Sequence, residues 1–256
     1  MNWNEVPVKL ENITVMDNRD TIVDSVNLEI LPGKVTIIMG TSGCGKSTVL
    51  KIAAGLIPIN KGSVKYGEIK LYKINQKDFV QVQKHTGFMF QDGALWANKN
   101  IYENLSLPLV IADPTLKKEW VDDQVKKSLK SFGMEKEMMN RPASLSAGER
   151  KMISFLRAII SDPQILFMDE PTTYIDRKSS LLLIKKIFQF KKEGKTILLV
   201  THDLTLAKSL ADYFVFMHKG KIIVNDTIDS AMSSEDPLLR AFMEDQTPGE
   251  EKKSEI

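Results

Sequence analysis

The chain has 256 residues, 43% of them apolar and 27% charged, a composition that excludes a wholly disordered or collagen-like protein. Lys and Arg number 35 against 33 Asp and Glu, a net charge of +2, too near neutral to imply nucleic acid as a partner. At about 150 residues per domain the length allows one or two domains, with a core large enough to need no disulfide or metal staple. The single cysteine, Cys44, forms no intramolecular disulfide and fits a reducing compartment. No apolar run approaches the ~18 residues that span a bilayer. The opening stretch MNWNEVPVKLEN carries acids and no apolar signal core, so a cytoplasmic location is expected.

The first third reads as strands. Val26, Leu28 and Ile30 alternate with polar residues, the pattern of a half-buried strand. Pro32-Gly33 turns the chain. Val35–Met39 is an apolar run broken only by Thr36, which predicts a strand buried on both faces. A helix is predicted from near Lys46 to Gly55, and residues 63–71 read as further strand.

Val121, Val125, Leu129 and Phe132 fall on one helical face, ended by Gly133. Met152, Ile153, Leu156, Ile159 and Ile160 form another such face. Residues 93–160 therefore read as a mainly helical insertion. Ile165–Met168 is again strand-like, Leu183, Ile184, Ile187 and Phe188 are helical, and Thr196–Val200 is a strand. Phe214–Met217 and Lys221–Val224 read as a hairpin across His218-Lys219-Gly220. The lysines of Arg177–Lys195 have the spacing of a solvated helix face, not of a nucleic-acid site. The last residues, TPGEEKKSEI, are polar and expected to be disordered. This rhythm predicts an α/β fold, a mostly parallel sheet covered by helices.

One motif carries the chemistry. Gly40-Thr41-Ser42-Gly43-Cys44-Gly45-Lys46-Ser47 fits the phosphate-binding pattern G-x-x-x-x-G-K-[ST] and is followed by Thr48. It stands between a buried strand and a helix, the context the pattern requires. Glycines let backbone N–H groups turn toward a phosphate, and the helix N-terminus adds partial positive charge. In such a loop the lysine, here Lys46, bridges the β- and γ-phosphates, and the hydroxyl, here Ser47, ligates Mg²⁺. Cys44 reads as a small filler, although a thiol in this loop is open to alkylation or oxidation.

A second acidic element follows the strand Ile165–Met168. Asp169 at its end is placed to hold Mg²⁺ through water, and Glu170 to orient or deprotonate an attacking water. His85 and His218 have no motif around them and are expected on the surface.

With these motifs, nearly the whole chain resembles the nucleotide-binding subunit of ABC transporters. Gln91 matches the Q-loop glutamine, Leu145-Ser146-Ala147-Gly148-Glu149 the signature LSGGQ with two departures, Thr173-Tyr174-Ile175-Asp176 the D-loop, and His202 the switch histidine. The resemblance implies a P-loop NTPase fold of ABC type over residues 1–246. Its N-terminal β region would be antiparallel, with the helical subdomain at 93–160. It implies that ATP and Mg²⁺ bind at residues 40–48, that Ser47, Gln91 and Asp169 hold the metal, and that Glu170, His202 and Gln91 act in hydrolysis. It further implies that Ser146 and Gly148 complete the site of a second copy, in a head-to-tail dimer with two ATP molecules between the copies, and that Asp176 of the D-loop is a nucleotide-binding residue. Ala147 would then add a methyl at a crowded backbone, and Glu149 a negative charge near the site. The family's adenine-stacking aromatic has no counterpart in Val15-Met16-Asp17-Asn18-Arg19. Asp17 holds the position, leaving Met16 or Arg19 as candidates for the base.

Two stretches are similar to the ATPase of the Mla/MCE phospholipid-trafficking systems: Phe90–Trp96 with Asn100–Leu105, and the terminal Asp236–Met243. The resemblance implies a membrane permease docked beside the Q-loop; the alternative is that Leu95, Trp96 and Ile101 form an apolar socket for some other permease. It also raises an MCE-type lipid-binding partner and a small regulatory subunit. The alternatives are an amino-acid, metal or lipoprotein transporter, or a soluble ABC ATPase without a permease.

Overall fold

A computed structural model describes residues 1–18 and 20–246. Arg19, one of the two adenine candidates, and the terminal segment 247–256 lie outside the described residues.

Strands β1 (Val8–Asp17) and β2 (Asp20–Ile30) pair antiparallel, with Val8 opposite Ile30 and Leu10 opposite Leu28. Directly opposed residues share a face, so these four apolar side chains enter one core together. Next come β3 (Val35–Gly40), α1 (Lys46–Ala53), β4 (Lys61–Tyr66) and the short β5 (Ile69–Lys70). Among the described residues the first sheet runs β2-β1-β4-β5 and is wholly antiparallel. The expected strand at 63–71 is thus two strands with a turn at Gly67.

Helix α2 (Gln76–His85) leads into β6 (Thr86–Met89). The helical stretch follows with α3 (Ile101–Ala112), α4 (Lys118–Lys130) and α5 (Ala147–Ile159). Val121, Val125 and Leu129 are buried, as their spacing predicts. The chain returns to alternation in β7 (Ile165–Asp169), α6 (Arg177–Lys192), β8 (Thr196–Val200) and α7 (Leu204–Leu210). It closes with the hairpin β9 (Tyr213–His218) and β10 (Lys221–Thr227), then α8 (Ile228–Met232) and α9 (Pro237–Gln246).

The second sheet runs β10-β9-β3-β8-β7-β6, parallel except for β10. Its middle strands read as largely apolar runs, interrupted by Thr36 in β3 and Thr196 in β8, because they serve two cores. Val35, Ile37 and Met39 of β3 face a core shared with the helices, and Ile38 faces one shared with the antiparallel sheet. In β7, Leu166 and Met168 point to the first core and Ile165 and Phe167 to the second. Alternation along a strand buried on both sides favours apolar residues at nearly every position.

Two expectations are corrected. Ile101 is fully buried, not part of a surface socket. Asn100 and Glu103 form a capping box at the start of α3 and turn Ile101 inward. His85 is not a free surface residue: its ring stacks on Trp3, centroids 4.6 Å apart.

Candidate functional site

Register brings the predicted residues to one edge. Gly40 pairs with Met217, Ile38 with Val200, Val200 with Asp169, and Met168 with Met89. The carboxyl ends of β3, β8, β7 and β6 therefore lie side by side, and residues 40–47, 202, 169–170 and 91 follow directly from them. Ligands of open parallel sheets bind at this edge.

The loop after β3 is shaped by glycine. Gly40 has φ +151, and a Cβ there would come within 2.1 Å of the Met217 carbonyl oxygen. Gly45 has φ +98, and a Cβ would meet the Ile22 carbonyl at 2.8 Å. Both backbone positions require glycine. Gly45 is also the N-cap of α1 and contributes no side chain, so no cap competes for the first N–H groups of α1. Lys46 curls back over the loop, its Nζ donating to the Gly40 and Thr41 carbonyls at 2.9 Å each. Cys44 is buried and lies 3.9 Å from Lys46 Nζ, so it serves as the small filler rather than an exposed thiol.

Ser47 Oγ donates to Asp169 Oδ1 at 2.9 Å. Asp169 is 1% exposed. Burial raises its pKa, opposed by the Ser47 hydrogen bond and by the charge of Lys51. A hard cation takes oxygen ligands of this type. A hydroxyl and a buried carboxylate sharing one hydrogen bond fit Mg²⁺, which relieves the carboxylate's desolvation.

Glu170 is nearly buried and adopts a left-handed φ of +47. Its N–H donates to the Val200 carbonyl at 2.9 Å, which clamps it to β8. Thr173 Oγ1 donates to Glu170 Oε2 at 3.0 Å, and His202 Nδ1 lies 2.9 Å from the same oxygen. A carboxylate only accepts, so the ring hydrogen sits on Nδ1. The pair is a carboxylate oriented by a histidine and a threonine at the mouth of the phosphate loop, an arrangement able to position and deprotonate a water.

Gln91 is exposed on the loop after β6. That loop is held by Arg157, whose guanidinium donates to the carbonyls of Ala94 and Gly93 at 2.8 and 3.3 Å and lies 5.2 Å from the centroid of the Trp96 ring.

Ser146 and Gly148 stand apart from this edge, at the N-terminus of α5. Ser146 Oγ accepts from the Glu149 N–H at 3.2 Å, and Glu149 Oε2 accepts from the Ser146 N–H at 2.8 Å. The charge at position 149 therefore serves as the second half of a capping box, and these bonds lower its pKa. Ala147 is exposed, so no crowding of the kind expected arises there among the described residues. Asp176 caps α6 by accepting from the Ser179 N–H at 3.0 Å.

Sequence reasoning missed Thr173 as a partner of Glu170, and Arg157 as the anchor of the Gln91 loop. The S-x-x-E spacing of 146–149 was readable as a cap. Arg157 carried no comparable signal.

Beside the Gln91 loop opens an apolar groove of about 470 Å³, lined by Leu56, Phe79, Phe90, Trp96, Pro108 and Ile111. Of the expected socket only Trp96 opens onto it; Leu95 packs against the core.

A glycine-shaped phosphate loop at the carboxyl edge of a parallel sheet, flanked by a hydroxyl–carboxylate pair, defines the class of P-loop nucleotide-binding proteins. Residues 23–173 match the family model described as ABC transporter. A probable ribonucleotide transport ATP-binding protein, Mkl, of Mycobacterium leprae is 29% identical over 240 residues, 93% of this chain and 69% of that protein. The intermembrane phospholipid transport system ATP-binding protein MlaF of Haemophilus influenzae is 29% identical over 251 residues, 97% of this chain and 94% of that protein. The fold is similar to the ATP-binding cassette MJ0796, solved as a dimer in a post-hydrolysis state with ADP and Pi, at 28% identity and a TM-score of 0.79 over 86% of this chain and 98% of that one. The chain belongs to the ABC transporter family, as an ATP-binding subunit that hydrolyses ATP.

Proposed function

We propose that this chain powers phospholipid transport of the Mla/MCE type through a separate membrane permease. Support comes from the end-to-end match to MlaF and from the stretches 90–105 and 236–243. Among the described residues no helix is long and apolar enough to cross a membrane, so in this reading the chain sits on the inner face of the membrane through its partner. The groove at Phe79, Phe90 and Trp96 receives an apolar helical segment of that permease, and the Arg157-anchored loop carries the signal to Gln91.

The observation that carries the catalytic reading is the Glu170–His202 pair beside the Ser47–Asp169 bond. ATP lies along residues 40–48, with Lys46 leaving the Gly40 and Thr41 carbonyls for the β- and γ-phosphates. Ser47, Asp169 and Gln91 hold Mg²⁺, which neutralises developing phosphate charge when bound. Glu170 accepts a proton from water as its oxygen attacks the γ-phosphorus, the bond to the β-phosphate oxygen breaks, and ADP leaves with inorganic phosphate. His202 holds Glu170 in place and meets the γ-phosphate. Ser146, Gly148 and Asp176 of a second copy close the site, as an ATP sandwich between two chains.

The lipid reading is tested on the chain assembled with its membrane subunit in nanodiscs. Phospholipid is expected to stimulate phosphate release. Stimulation by an amino acid, a metal ion or a lipoprotein instead assigns the chain to another transporter. Failure to co-purify with any membrane subunit favours the permease-free ATPase.

A further inference from the structure

The buried cation of α5 takes no part in the chemistry above. Lys151 is 3% exposed, although lysine is almost never buried without a partner. Its Nζ donates to the Thr173 carbonyl at 2.7 Å, and among the described residues no carboxylate lies within ion-pair distance of it. Burial lowers its pKa to about 8, opposed by the charges of Glu170 and Asp169. Apolar residues in place of buried charges are often neutral or stabilising, which leaves room for a role of the ammonium beyond stability.

Its neighbours point to another role. Thr173 is the residue whose hydroxyl holds Glu170 Oε2. One helical turn before Lys151, Gly148 faces Ile175 of the same loop, with 3.7 Å from a Cβ position to Ile175 Cγ2. The start of α5 and the loop 170–176 thus touch at two points: Gly148 against Ile175, and Lys151 against Thr173.

We propose that Lys151 is a positioning residue that locks the helix carrying Ser146 and Gly148 to the loop carrying Glu170. This rests on the sandwich reading, in which the two elements serve different ATP molecules. Ser146 engages the partner's nucleotide, and the pull on α5 reaches the chain's own Glu170 through Lys151, the Thr173 carbonyl and the Thr173 hydroxyl. Occupation of one composite site then sets the hydrolytic geometry of the other.

The test measures kcat, KM for ATP and the Hill coefficient of the assembled transporter with Lys151→Met and Lys151→Arg. Lys151→Met is expected to keep KM within about twofold and to lose about 10- to 100-fold in kcat, the scale of a displaced catalytic group, with the Hill coefficient falling toward one. Lys151→Arg is expected to recover most of the turnover and cooperativity. A Lys151→Met variant with native kcat and Hill coefficient overturns the proposal, as does parallel loss of ATP affinity and thermal stability, the mark of a merely structural lysine. If Lys151→Met does not fold, Thr173→Val is assayed in its place, removing only the hydroxyl link. A fall in kcat and in Hill coefficient supports the relay, and unchanged cooperativity overturns it. The sandwich itself is checked separately with Glu170→Gln, where absence of an ATP-bound dimer removes the parent reading whatever Lys151 does.

Discussion

Asp169→Asn separates the stability of the site from its function. The carboxylate is 1% exposed and, among the described residues, accepts a single side-chain hydrogen bond, from Ser47 at 2.9 Å. Its charge therefore forgoes most of its hydration, and burial raises its pKa. Because the folded carboxyl binds a proton more readily than the unfolded one, the penalty is full above the raised folded value, shrinks as pH falls below it and is gone below the ordinary carboxylate pKa. Asparagine keeps the shape and still accepts from Ser47 while removing the charge. Relieving this buried charge is expected to stabilise by about 1–2 kcal/mol, the lower part of the range seen where buried ion pairs give way to apolar residues, because Ser47 and Lys51 already offset part of the cost. At about 2–4 °C per kcal/mol for a chain of this size, the nucleotide-free variant melts about 2–8 °C above the wild type. With Mg²⁺ and ATP at a hundred times Kd the wild type gains about 2.7 kcal/mol, and the variant is expected to lose most of that gain. Differential scanning fluorimetry with and without Mg·ATP reads both effects. A nucleotide-free variant less stable than wild type refutes the claim that burial dominates at Asp169, and an undiminished Mg·ATP shift refutes its role toward the metal.

Other substitutions probe separate parts of the account. Ser146→Ala removes one half of the α5 capping box, so it is expected to lower stability by about 1 kcal/mol in chemical unfolding and to depress turnover of the assembled dimer. Glu149→Gln retains the reciprocal bond to the Ser146 N–H and is expected to cost only a few tenths of a kcal/mol, from the lost charge at the helix N-terminus. Phe79→Asp places a charge in the apolar groove, where Phe79 is 39% exposed. Nucleotide affinity of the isolated chain is expected to stay unchanged while co-purification with the permease fails, and intact co-purification argues against docking in this groove.

How much could be read in advance depended on how local the signal was. The phosphate loop is eight contiguous residues between a strand and a helix, and it stands where its spacing places it. Asp169 and Glu170 were legible because an apolar run ends in two acids. The bonds to Glu170 were not: Thr173 reaches it through the local turn of the loop, and His202, singled out by its motif, meets it only once β7 and β8 lie side by side. Ile101 misled because an apolar residue near a loop looks the same whether it faces out or in, and only the Asn100–Glu103 cap decides. His85 lies far from Trp3 in sequence, and their stacking is tertiary. Lys151 ran against expectation in the other direction. Long charged side chains normally stay at the surface, and the carbonyl that draws this one inside belongs to a loop 22 positions away.

The claim beneath all of this is that Glu170 activates the water that cleaves ATP held between two chains. Glu170→Gln in the assembled transporter, followed by single-turnover phosphate release and by the mass of the ATP-bound species, addresses it most directly. Release is expected to fall by about 10²- to 10⁴-fold, the usual contribution of a positioned general base, while ATP remains bound in a stable dimer. Phosphate release at the wild-type rate, or a variant that stays monomeric with ATP bound, contradicts it.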